Sequence, residues 1–145
     1  MTDISVASTG YQVEKRSWLL GPHGTEPGTT PTITLDVSSF TAATHYPNGY
    51  LLSGIVLGRI TATGLYAPYV DAAVDGTGTA AGLLFSSVKV PNTAVLTIDV
   101  AGALLVHGFV AQNKLPIANG ATGGGFIDAN GITDMRLIHF TTVTP

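Results

Sequence analysis

Leu51-Leu52-Ser53-Gly54-Ile55-Val56-Leu57-Gly58-Arg59-Ile60-Thr61-Ala62-Thr63-Gly64 opens a stretch that closes with Leu105-Val106-His107-Gly108-Phe109-Val110. Its residues are apolar, β-branched and punctuated by glycine, and few carry a group capable of chemistry. Branched side chains suit a pleated surface, and glycine marks turns and close backbone approaches. Such a stretch builds a small β-barrel or sandwich that presents a surface, not a catalytic cleft. Residues 55–62 read as one strand with apolar side chains on both faces except at Arg59, as expected inside a closed barrel. Gly64 then turns the chain into residues 65–70.

Working outward, Thr32-Ile33-Thr34-Leu35-Asp36-Val37 alternates polar and apolar side chains, which predicts a half-buried strand. Pro47-Asn48-Gly49 predicts a turn, and Asp75-Gly76-Thr77-Gly78 a loop that leads into a strand over residues 80–84. Leu96, Ile98 and Val100 alternate with Val95, Thr97 and Asp99. Residues 103–111 read as one further buried strand, and 120–125 as a glycine loop. Residues 128–135 have room for about two helical turns, interrupted at Gly131, and 136–143 for a last strand. Short strands separated by turn residues predict a mainly β barrel- or sandwich-like domain with at most one or two short helices.

The first part of the chain reads differently. His23-Gly24-Thr25-Glu26-Pro27-Gly28-Thr29-Thr30-Pro31 cannot be helix and buries little, and residues 8–20 have no period of 2 or 3.6. Residues 1–31 are therefore expected to form an extended, partly disordered arm, and residues 32–145 a single β-rich domain. Met1-Thr2-Asp3-Ile4 lacks a basic n-region, so the mature chain is expected to start where the sequence starts.

A chain of 145 residues is long enough to bury roughly 68–70% of its unfolded surface as one domain. It has no cysteine, which removes disulfides and thiolate metal sites. Its net charge of -3 and lack of a basic stripe argue against a nucleic-acid partner, and no apolar run is long enough to span a bilayer. Charged residues make up 10% of the chain, against about 25% in an ordinary soluble domain. So little charge predicts a surface largely covered by other protein, although a Thr/Ser/Gly-coated monomer fits the same composition.

Chemistry is sparse. Gly76-x-Gly78-x-x-x-Gly82 is followed by the strand-like Leu83-Leu84-Phe85, whereas a phosphate loop must open a helix. Asp128-Ala129-Asn130-Gly131 lacks the glycine and glutamate positions of a calcium loop; an Asp128 N-cap or an Asn130-Gly131 turn explains it. His23, His45, His107 and His139 show no zinc spacing, and His107 and His139 in apolar strands predict hydrogen-bonded core or interface imidazoles. Ser53 lacks the nucleophile-elbow glycines, and the two glutamates, Glu14 and Glu26, lie in the arm. No catalytic residue, cofactor or metal is expected. Trp18 and the tyrosines 46, 50, 66 and 69 read as core or interface anchors before a sugar-stacking platform.

Three blocks in order carry a resemblance: Ser53 to Tyr69, Asp75-Gly76-Thr77-Gly78-Thr79-Ala80-Ala81-Gly82-Leu83-Leu84, and Leu104-Leu105-Val106-His107-Gly108-Phe109-Val110-Ala111. Together they resemble the lambda-type phage head decoration proteins over about residues 32–143. The resemblance implies a β-tulip-type domain that trimerises on local three-fold axes of the expanded head. It also implies an N-terminal arm that orders on the major capsid protein by adding a strand to it. The chain departs from the family in a long arm with the apolar knot Ser17-Trp18-Leu19-Leu20, and in Ser86-Ser87-Val88-Lys89 where relatives often carry acidic residues.

The expected function is that of a non-catalytic capsid decoration, or cement, protein: a homotrimer on the outer surface of a tailed-phage virion, present in host cytoplasm during assembly. Its expected partner is the major capsid protein, with no nucleic acid and no membrane. Trp18, Leu19, Leu20, Ile33 and Leu35 are the candidate capsid-binding residues, the grip extending over residues 1 to about 40. Arg59 and His107, polar interruptions in strands that otherwise want burial, are candidates for the trimer interface. The alternative is another virion module, a head-fibre base or tail component, with a glycan-binding surface.

Overall fold

A computed structural model describes residues 13–91 and 98–144. The alternating segment forms β1 (Thr32–Leu35), with Ile33 and Leu35 inward and both threonines outward. Asp36 then caps a 3₁₀ turn, Val37–Ser39, by accepting from the Ser38 N–H. A single helical turn, α1 (Ala42–His45), and the expected turn at residues 47–49 lead to the short β2 (Tyr50–Leu51). The opening stretch supplies β3 (Val56–Arg59), which hairpins through Gly64 into β4 (Tyr66–Pro68). β5 (Ala80–Leu84) follows the 75–78 loop, and β6 (Val88–Lys89) pairs with β2.

β7 (Val100–Leu105) completes the main sheet. Its strands pair in the order β1-β4-β3-β5-β7, and β7 pairs back with β1 over four residue pairs. The β1–β4 seam is a single parallel pair, Leu35 with Tyr66, so the barrel is thinly joined there. Within the alternation expected over residues 95–100, residues 95–97 lie outside the described residues, and Val100 begins β7.

The chain's two apolar periods explain the layers. Ile55, just before β3, and Leu57 within it face one core, with Leu35, Leu84 and Leu104, while Val56, Leu83 and Leu105 face a second core. The central strands therefore bury both faces, as the unbroken apolar run of β3 requires. The second core is roofed by β8 (Gly108–Ala111), β9 (Ile138–Thr141) and α2 (Ala129–Asp134). β8 and β9 run parallel, with Phe109 opposite His139 and Val110 opposite Phe140. Asp128 N-caps α2 as expected, accepting from the Gly131 N–H at 2.7 Å.

One expectation is corrected. Residues 103–111 do not form one strand; the chain breaks at Val106-His107 and changes sheet. Gly108 has a φ of +141°, and a Cβ there would lie 2.7 Å from the His23 carbonyl oxygen, so the corner requires glycine. The fold is otherwise the mainly β domain with two short helices that the sequence predicts.

Candidate functional site

Residues 13–20 lie against the domain as a strap. Leu19 forms an antiparallel bridge with Val110, the Leu20 N–H donates to the Phe109 carbonyl at 3.1 Å, and the Ala111 N–H to the Trp18 carbonyl at 2.7 Å. The strap is thus a third strand on the free side of β8. Trp18 is 1% exposed, and its indole N–H donates to the Ser53 hydroxyl at 3.2 Å. That hydroxyl in turn donates to the Phe85 carbonyl at 3.0 Å. Gly54 (φ +99°) admits the ring: a Cβ there would stand 2.8 Å from the indole nitrogen and from Pro116. At the strap's outer end, both Glu14 oxygens accept from the Ser87 N–H at 3.1 Å, and the Arg16 guanidinium sits 4.3 Å from the Phe85 ring centroid. Residues 21–31 follow as hydrogen-bonded turns, with the Gly24 N–H donating to Glu26 at 2.8 Å.

The five residues proposed from sequence as capsid anchors fall in different places. Trp18, Ile33 and Leu35 are buried in the domain's own two cores, Leu19 is half-buried beside the second, and only Leu20 is exposed. The two residues proposed for a trimer interface are also separated. Arg59 is exposed at the end of β3, with its guanidinium beside Gly64; His107 stacks on His23, ring centroids 4.4 Å apart.

His107 belongs to a cluster that sequence spacing does not reveal. β8 and β9 are in register and the strap bridges to Val110, so Leu20, Phe109 and His139 share the outer face of this small sheet, with His23 and His107 stacked at its edge. Phe109 lies 5.8 Å, centroid to centroid, from both His23 and His139. The opposite face, with Val110, Ile138 and Phe140, packs into the second core. Leu20, Phe109 and Leu137 are 44%, 46% and 65% exposed. Glu26 lies nearby. Its own backbone N–H holds its carboxyl below the usual range against the effect of burial, with help from the Gly24 N–H and the neighbouring His23 and His107.

The histidine that does sit hydrogen-bonded in the core is His45, not His107 or His139. Its Nδ1 accepts from the Thr41 N–H at 2.8 Å, so Nε2 carries the proton and donates to the Gly124 carbonyl at 3.0 Å. Burial pushes its pKa down, partly offset by the hydrogen bond to the Gly124 carbonyl. Tyr69, buried beneath α2, donates to Asp128 at 2.9 Å; burial and the neighbouring Asp128 and Asp71 carboxylates push its pKa up. Among the described residues, no group of three or more such side chains converges as metal ligands.

The arrangement offers contact surfaces: a strap fixed at its root by Trp18, and beside it an outward face of apolar and imidazole groups. A comparison with curated proteins found no match. Residues 28–130, well over half of the chain, match the model of the family described as bacteriophage lambda head decoration protein D. The match runs from the turn before β1 through the whole barrel, β8 and the start of α2, and the chain belongs to the lambda head decoration protein D family.

Proposed function

We propose that this chain decorates and stabilises the head of a tailed phage, without catalysis, as a homotrimer bound at local three-fold sites of the expanded shell. The family match over residues 28–130 carries this reading, and the sparse charge of the chain supports it, because a cement protein is covered on several sides. The major capsid protein is the partner, the outer capsid surface the location, and host cytoplasm the place where the chain waits before assembly.

The N-terminal arm is the proposed grip. Trp18, Ile33 and Leu35 are already committed to the domain's cores, so the grip is assigned to the twelve residues ahead of Val13, with Leu19 and Leu20 at its base. Twelve residues reach at most about 40 Å when extended, enough to lie along a neighbouring subunit. Strand addition gives adhesion through backbone hydrogen bonds, and three arms on one trimer supply avidity that offsets the cost of ordering each. The strap, clamped by Trp18, Arg16 and Glu14, transmits that grip to the domain. Arg59, exposed on an otherwise buried strand, remains a candidate for contact between protomers.

Deleting residues 2–12 tests the arm while leaving Trp18 in place. The truncated chain should keep the oligomeric mass of the full chain and lose sedimentation with decoration-free expanded heads. Head binding at full strength by the truncated chain would contradict the arm. Failure of the full chain to bind heads, with specific glycan binding in its place, would favour the fibre or tail module.

A further inference from the structure

Three of the chain's asparagines are followed by glycine: Asn48-Gly49, Asn119-Gly120 and Asn130-Gly131. In such a pair the glycine's backbone nitrogen can attack the asparagine's own side-chain amide carbon, because no Cβ shields it. A five-membered succinimide ring forms and the side-chain nitrogen leaves as ammonia. Water then opens the ring to aspartate or isoaspartate, so solvent is the one co-reactant. The attack needs an unpaired backbone nitrogen and a side chain free to swing onto it.

The fold ties down two of the three pairs. The Gly49 N–H donates to the Tyr46 carbonyl at 3.0 Å, and the Gly49 carbonyl accepts from the Val90 N–H at 2.9 Å. Gly131 is buried in α2, and its N–H donates to Asp128 at 2.7 Å, while the Asn130 amide donates to both Asp71 oxygens at 3.0 Å. Asn119-Gly120 is different. These are the two central residues of an exposed turn, closed by the Ala121 N–H on the Ala118 carbonyl at 3.1 Å. Gly120 has a φ of +82°, as the second central residue of a type II turn does, and nothing lies within 4 Å of a Cβ built there. Among the described residues, neither the Asn119 side chain nor the Gly120 N–H has a hydrogen-bond partner.

We propose that Asn119 is a site of spontaneous modification, its side-chain amide converted to a carboxylate through attack by the Gly120 nitrogen. Ring closure disturbs the one hydrogen bond that closes the turn. The product adds a negative charge to the net -3, in a groove that also takes in Leu115, Ile117, Ile127, Asp128 and Ile132. The conversion requires neither a phage head nor a second copy of the chain.

Incubation of the full chain at mildly alkaline pH, followed by trypsin and fragment mass spectrometry, tests the site. Fragmentation separates Asn119 from Asn130, which trypsin leaves in one peptide, residues 115–136. Asn119 should convert about tenfold faster than Asn48 or Asn130, the factor supplied by having no hydrogen-bonded nitrogen to release by local opening. In urea the three rates should converge, and Asn119→Gln should remove the early acidic form seen on isoelectric focusing. Conversion of Asn48 or Asn130 in the folded chain as fast as Asn119 would overturn the assignment. So would an Asn119 that persists in the folded chain while it converts in urea.

Discussion

At the scale of single residues, Trp18 and His45 carry the most weight. The contacts of the strap's Arg16 are weak: the Arg16–Glu14 pair is exposed, and the Arg16–Phe85 contact is worth about 0.5–1 kcal/mol. Trp18 by contrast fills the second core, so Trp18→Ala should cost about 3–5 kcal/mol in chemical denaturation, and Arg16→Ala less than about 1 kcal/mol. Comparable losses in both would contradict an indole-centred strap. His45 predicts a pH dependence. Its folded pKa lies below the ordinary 6.5, so the stability it contributes is full above that value. That contribution should fall as pH drops through 6.5 toward the folded value, because the unfolded chain takes up the proton first. Denaturation midpoints between pH 7.5 and 5 should show the decline in wild type. His45→Asn keeps an acceptor for the Thr41 N–H and should flatten it.

At the scale of elements, β1 and β5 were readable because their patterns are bounded by turns. By contrast, β3 stops at Arg59, short of the residues 55–62 expected, and β7 runs across residues read as two separate segments. β5 falls on the residues its flanking glycines and apolar run mark, and β1 shows the alternation of its threonines with Ile33 and Leu35. The corner at Gly108 was not readable, since an apolar run looks the same whether it is one strand or two in different sheets. The strap escaped for another reason: one bridge at Leu19 is too short to leave a period, and its partners, Ser53, Phe85 and Val110, are distant in sequence. The outer face joins three segments that only the β8–β9 register and the strap bring together. Two substitutions test how these elements are fitted. Gly54→Ala forces a side chain into a left-handed backbone against the Trp18 ring, and should lower stability by about 1–3 kcal/mol. Asp128→Ala removes the α2 cap and the nearer of the two Tyr69 acceptors together, and should cost about 1–2 kcal/mol. Thermal melts of the two variants at one protein concentration measure both.

At the scale of the molecule, the layers divide the work. The five-stranded sheet is a base whose central strands are buried on both sides. The strap, residues 13–20, lies on that base beside β8, and the strap–β8–β9 sheet packs its inner face on the second core. In the proposed assembly such a body would hold three arms in position, and avidity would multiply their separate affinities. The most direct measurement is co-sedimentation of the full chain with expanded, decoration-free heads of its phage, with the bound copies counted. Saturable binding at three copies per local three-fold site is the predicted result. Heads that sediment without the chain at any concentration would contradict the decoration role.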